Sequence, residues 1–157
     1  MAGSLGKTHV AGYGGAEDLL GEMLLDLRGN GKGEIQVRMD YRPLKDGLQL
    51  IPKVGMRMRI PAEYSQVSWY GRGPHENYPD RKSGYFIGQY SMPLDEFIFD
   101  YASPQDNANR CDTRWFSLGN GSRNIEIHGL QELNFRAWPY GEEDLEDSAH
   151  PFDIPAR

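Results

Sequence analysis

A single cysteine, Cys111, stands among 157 residues, so an internal disulfide is excluded. The four histidines show no spacing with it that a structural zinc site would need. Cations are also scarce: 17 Lys and Arg against 23 Asp and Glu leave a net charge of −6 and a pI near 5.2. Nucleic-acid binding rests on clustered Lys and Arg that neutralise phosphates, and no basic stripe is present to do this. Nowhere do about 18 apolar residues follow one another, so no helical membrane span is expected. Residues 1–15 have neither a charged start followed by an apolar run nor a cleavage-like end, and a cytoplasmic, water-soluble chain is the expectation.

What is abundant is turn chemistry: 19 glycines and 10 prolines, with 11% aromatic and 38% hydrophobic residues. That inventory favours many short strands over long helices, and the length suits one domain that buries roughly two-thirds of its unfolded surface. Gly3, Gly6, Gly12, Gly14 and Gly15 mark residues 1–15 as a poorly ordered or vector-derived stub, leaving 16–157 as the domain.

Along that domain the pattern is that of an all-β, antiparallel sandwich. Met23 to Arg28, a Gly-Asn-Gly-Lys-Gly turn, and Glu34 to Tyr41 read as a hairpin, because Ile35, Val37, Met39 and Tyr41 alternate with polar residues. The first arm also fits helical spacing through Leu19, Leu20, Met23, Leu24 and Leu27. Val54, Met56, Met58 and Ile60 alternate with Gly55, Arg57 and Arg59, giving the clearest strand, with the two arginines on its wet face. Further strands are expected at 66–70, 85–90, 97–101, 114–118, 124–128 and 133–138. Tyr140 to His150, with its early acids, predicts one short helix near the carboxy terminus; it lacks the alternating ligands and central glycine of a calcium loop, and no metal site is expected.

Two loops carry the chemistry. Trp69 to Arg81, Trp-Tyr-Gly-Arg-Gly-Pro-His-Glu-Asn-Tyr-Pro-Asp-Arg, holds two glycines, two prolines and charges that need partners. Tyr101 to Trp115 includes Pro104-Gln105-Asp106-Asn107-Ala108-Asn109-Arg110 and Thr113-Arg114-Trp115. Each loop reads either as a buried ion-pair network or as part of a polar binding surface.

Taken together, the two motifs resemble the carboxy-terminal domain of family-2 β-galactosidases, over roughly residues 23–154. The resemblance implies a large antiparallel β-sandwich similar to the galactose mutarotases, following a separate (β/α)8 barrel that performs hydrolysis. It implies no catalytic residue, no cofactor and no metal in this chain. Retaining hydrolysis needs two carboxyl groups about 5 Å apart, and both come from the barrel in that family. Glu76, Asp80, Asp106 and Asp112 are therefore read as structural acids. The implied partners are the catalytic barrel and, in the assembled enzyme, a β-galactoside. The sequence stops before the further strands and the tryptophan-bearing loop that such domains carry: if the natural protein ends here, exposed edges that invite self-association are expected, and if it is a piece of a longer protein the same edges come from the cut. Asp106 and Ala108 stand where relatives more often have glutamate and glycine.

Within this frame Arg72, Glu76, Asn77, Asp80 and Arg81 are expected to form a hydrogen-bonded cluster that pins the first loop. The competing readings are a carbohydrate-binding module and a mutarotase-like epimerase. For the first, Trp69, Tyr70, Tyr78 or Trp115 would stack on a pyranose while Asn107, Asn109 and Arg110 bond its hydroxyls; for the second, His75 and Glu76 would act as acid and base.

Overall fold

The computed structural model describes residues 3–8, 21–44, 46 and 53–155, which divide into two units, Met1–Arg57 and Met58–Arg157. In the first unit, strands β1 (Gly3–Thr8), β2 (Gly21–Gly29) and β3 (Ile35–Pro43) form an antiparallel sheet in the order β1-β2-β3. The predicted β2–β3 hairpin is borne out. Leu25 faces Met39 and Leu27 faces Val37, while Asp26 faces Arg38, so the period-2 pattern sets apolar and charged pairs on opposite faces. Asn30 closes the turn: its Oδ1 accepts from the amides of Lys32 (2.9 Å) and Glu34 (3.1 Å), and Gly33 takes the positive φ of +84°. The helical alternative fails for Met23 to Leu27, which lie in β2, whereas Leu19 and Leu20 fall outside the described residues.

In the second unit β4 (Gln66–Gly73), β5 (Phe86–Pro93), β6 (Arg110–Gly119) and β7 (Asn124–Phe135) form an antiparallel sheet ordered β5-β4-β6-β7. Two short helices, α1 (Leu94–Phe97) and α2 (Glu142–Asp147), and a 3-10 turn at Pro151–Asp153 complete it. The expected all-β, antiparallel class is what the structure has, and α2 lies within the stretch predicted to be helical.

The core sits on one face of this sheet. Val67 and Trp69 from β4, Leu118 from β6 and Phe135 from β7 are buried with Phe97 and Ala108. Trp69 meets Phe97 edge-on at 5.3 Å, and Phe116 stacks on Phe135 at 4.2 Å. Such aromatic pairs contribute about 0.5–1.5 kcal/mol beyond area burial.

Four expectations need correction. Residues 53–60 belong to neither sheet, and Val54, Met56 and Met58 are 44–50% exposed. Alternation marks a strand only where a neighbour supplies the ladder, and here neither sheet does. The predicted strand at 97–101 is absent as well, because Phe97 ends α1 and enters the core from a helical turn. The two late strands are a single one, β7, running through Gly129, where a Cβ would sit 2.1 Å from the Gln131 carbonyl oxygen. Glycine there tolerates the irregular pairing with β6 instead of breaking the strand. Lastly, the strand expected at 66–70 runs on through Gly73, so Gly71 to Gly73 are strand and not loop. Gly71 allows close approach of β6: a Cβ would lie 2.5 Å from Thr113 Oγ1 and 2.8 Å from its Cα.

Candidate functional site

Strand β4 ends at Gly73, and a cis Gly73–Pro74 bond turns the chain into residues 74–81; the approach to β6 runs alongside as residues 102–109. Two asparagines lace the segments together. The Asn77 amide donates to the Asn109 carbonyl at 2.8 Å, and Asn109 Nδ2 returns a bond to the Asn77 carbonyl at 2.7 Å. Asn77 Oδ1 then accepts from the Cys111 amide at 2.8 Å. Asn77 is wholly buried, so these bonds satisfy groups that would otherwise be stranded without water.

Glu76, 7% exposed, is the electrostatic centre of the first loop. Its Oε1 accepts from Arg81 Nη2 at 3.0 Å and from the Tyr101 hydroxyl, and its Oε2 accepts from the Ala108 amide at 2.8 Å. Ala108 adopts φ +65°, the left-handed region, which points its amide at the carboxylate. Burial, and then the Glu76 charge, push the Tyr78 phenol up to about 12. The Tyr101 and Glu76 contacts hold the Arg81 guanidinium above its usual range, and Arg81 also covers the Tyr78 ring at 4.4 Å.

A second cluster forms at the β6 entry. Arg72 Nε meets Asp112 Oδ2 at 2.5 Å, and Lys82 Nζ meets Asp112 Oδ1 at 2.7 Å. These cations, Lys82 first, hold the Asp112 carboxyl below its ordinary value. Arg72 Nη1 reaches the Lys82 and Tyr85 carbonyls at 3.1 and 2.7 Å, tying β4 to the segment that leads into β5.

Arg110 is 1% exposed and no carboxylate is bonded to it among the described residues; it donates to the carbonyls of Pro74 (3.0 Å) and Phe97 (3.3 Å). Its guanidinium lies 4.1 Å from the Phe97 ring centroid. Burial lowers it to about 10, which still leaves it protonated at neutrality. Burial raises the Cys111 thiol, so the lone cysteine is a buried, unreactive one.

The predicted loop cluster is thus two groups. Glu76 and Arg81 join Tyr101 and Ala108, while Arg72 joins Asp112 and Lys82; Asn77 bridges backbone. Asp80 is exposed and has no bonded partner among the described residues. Of the residues proposed to face a sugar, Trp69, Asn107 and Arg110 are buried and Asn109 is half-buried in the lacing. Tyr70 and Trp115 are neighbours across β4 and β6, on the face opposite Trp69. His75 is exposed, whereas its neighbour Glu76 is buried. Tyr101 and the Ala108 amide were invisible to sequence reasoning: they lie 25 and 32 residues from Glu76, and only the loop approach brings them there. Among the described residues no group of three or more His, Cys, Asp and Glu is placed to hold a metal.

Comparison with known proteins gives one family. The family model described as the β-galactosidase small chain matches residues 14–157. The β-galactosidase of Priestia megaterium is 34% identical over 125 residues, covering 79% of this chain and 12% of that protein. That of Vibrio cholerae is 38% identical over 126 residues, covering 80% and 12%. That of Lactobacillus delbrueckii subsp. bulgaricus is 31% identical over 137 residues, covering 87% and 13%. The chain spans about an eighth of the length of the curated relatives it matches.

Proposed function

The chain belongs to the β-galactosidase small-chain family, and from that membership we propose that it is a non-catalytic β-domain of a β-galactosidase. On this reading it supports a larger catalytic part that hydrolyses terminal β-galactosides, and it flanks the sugar site without supplying the reacting groups.

The observation that carries the reading is how the acids are used. Double displacement needs one carboxylate free to attack and one carboxylic acid positioned to protonate the leaving oxygen. Glu76 is bound by Arg81, Tyr101 and the Ala108 amide, Asp112 by Arg72 and Lys82, and Asp106 by Arg136 at 2.8 Å. Each serves a loop contact, and Asp80, the remaining acid of the two motifs, stands exposed.

The test has two arms. Purified chain incubated with a chromogenic β-galactoside should give no turnover, and activity that tracks the protein through repurification refutes the proposal. Grafting this chain in place of the matched segment of the Vibrio cholerae enzyme should yield more activity than the same enzyme with that segment deleted; no gain over the deletion counts against the supporting role.

A further inference from the structure

Among the described residues four strands form the outer edges of the two sheets, β1 and β3 of the first and β5 and β7 of the second. A strand edge offers a row of N–H and C=O groups to any chain that can lie beside it, and natural sheets guard such rows with charges, prolines or bulges. β1 carries Lys7, and its pairing with β2 shifts register between Ser4 and Lys7. β3 carries Arg38, Asp40 and Arg42. β7 carries Glu126 and Glu132, and its register against β6 is irregular.

β5 has none of these devices along its length. Its sequence, Phe-Ile-Gly-Gln-Tyr-Ser-Met-Pro, contains no charged side chain, and its proline stands last. It pairs with β4 residue for residue, from Phe86 opposite Gly73 to Pro93 opposite Gln66, with no bulge to twist the edge away. Phe86 is 79% and Ile87 43% exposed, and Gln89 and Ser91 are exposed as well, so the approach to the edge is open. The Phe86 carbonyl already accepts from the Tyr90 hydroxyl at 2.9 Å, which leaves Ile87 to Met92 as the row on offer.

The charges at its two ends select the occupant. Arg81 and Lys82 precede the strand, and Asp95 and Glu96 follow it in α1. The cations keep exposed surface beyond their contacts with Glu76 and Asp112, and both acids are exposed. When this strand pairs antiparallel with itself about a two-fold axis, the cationic end of each copy meets the acidic end of the other. Parallel self-pairing would set like ends together. Between the ends no charge stands to face its own copy, which is the repulsion a charged strand meets on pairing with itself.

We propose that β5 is a self-association edge, at which two copies of this chain pair their β5 strands antiparallel and join their second sheets into one. The inference goes beyond the scaffold reading and does not depend on it, and its test needs only the full chain. Sedimentation equilibrium should show monomer and dimer in exchange, with the dimer dominant by about 1 mM. Gln89 lies mid-strand and meets its own copy near the two-fold axis. Gln89→Lys therefore sets like charges together and should weaken dimerisation at least about tenfold, and Gln89→Glu should do the same. An equimolar mixture of the two variants should regain association, which unfolded chains could not do. Gln131→Lys, on the exposed side of β7, should leave dimerisation unchanged. Hydrogen exchange of the wild-type chain supplies a readout that needs no variant: amide protection within residues 87–92 should rise with protein concentration while that of β7 stays constant. A chain that remains monomeric to about 1 mM, a dimer indifferent to both Gln89 variants, no regain in their mixture, an equal loss from Gln131→Lys, or concentration-dependent protection centred outside β5 would each overturn the assignment.

Discussion

Glu76→Ala removes a carboxylate that is 7% exposed and addressed by three donors of different worth. Arg81 is the weakest of them. Its side chain is 54% exposed, so on losing its partner it returns to water at a loss of about 0–1 kcal/mol. The Ala108 amide is different: the residue is wholly buried, and its N–H would be left with no acceptor, at about 1–3 kcal/mol. Adding the weakened anchoring of Tyr101 brings the total to about 2–4 kcal/mol. For a unit of this size that lowers the thermal midpoint by about 10–25 °C. Arg81→Ala should be milder, about 1–2 kcal/mol, because Glu76 keeps two donors and the nearby Arg110 charge. Asp80→Ala should fall within about 0.5 kcal/mol of wild type, since its side chain is exposed. Urea unfolding followed by tryptophan fluorescence suits the measurement, because Trp69, Trp115 and Trp138 all lie in the unit that holds the site. Equal midpoints for wild type and Glu76→Ala, or Asp80→Ala as damaging as Glu76→Ala, would refute the reasoning.

Ala108 offers a second test, because φ +65° disfavours any side chain while its methyl is buried. Ala108→Gly relieves about 1–2 kcal/mol of left-handed strain but forfeits a similar sum in buried methyl and chain entropy, so its unfolding midpoint should barely move. Ala108→Val adds a β-branched side chain at positive φ in a packed site and should be destabilised by about 3 kcal/mol or more in the same assay. Asp112 predicts an acid response. Its folded pKa is depressed by Lys82 and Arg72, so its stabilisation is complete above the unfolded carboxylate value and is lost as pH falls through the folded one. The stability gap between wild type and Asp112→Asn should therefore hold steady near neutrality and close below about pH 4, as read from urea midpoints across pH. A gap that persists unchanged into strong acid would show that the pairing contributes nothing.

The local periodicities that were legible are those whose physics is local. Asn30 and Gly33 make the β2–β3 turn with their own side chain and φ, and the alternation from Ile35 to Tyr41 needs only a neighbour a few residues away. The early acids of α2 likewise act within one turn, where the Gly141 amide donates to Asp144 at 2.7 Å. By contrast Val54 to Ile60 has an equally clean alternation and belongs to neither sheet, because pairing is a property of two segments and only one is written there.

The sequence by itself determined the all-β class, the β2–β3 hairpin and, through the two loop motifs, the family. It also marked Glu76, Arg72 and Arg81 as charges in need of partners. Only the tertiary structure decided which partners they take. Glu76 is satisfied by a tyrosine and a backbone amide 25 and 32 residues away, and Arg72 by Asp112, 40 residues away, while adjacent Asp80 is left to solvent. Composition and spacing report the demand for a hydrogen bond, but its supply depends on which backbones the β4–β6 pairing brings within about 3 Å.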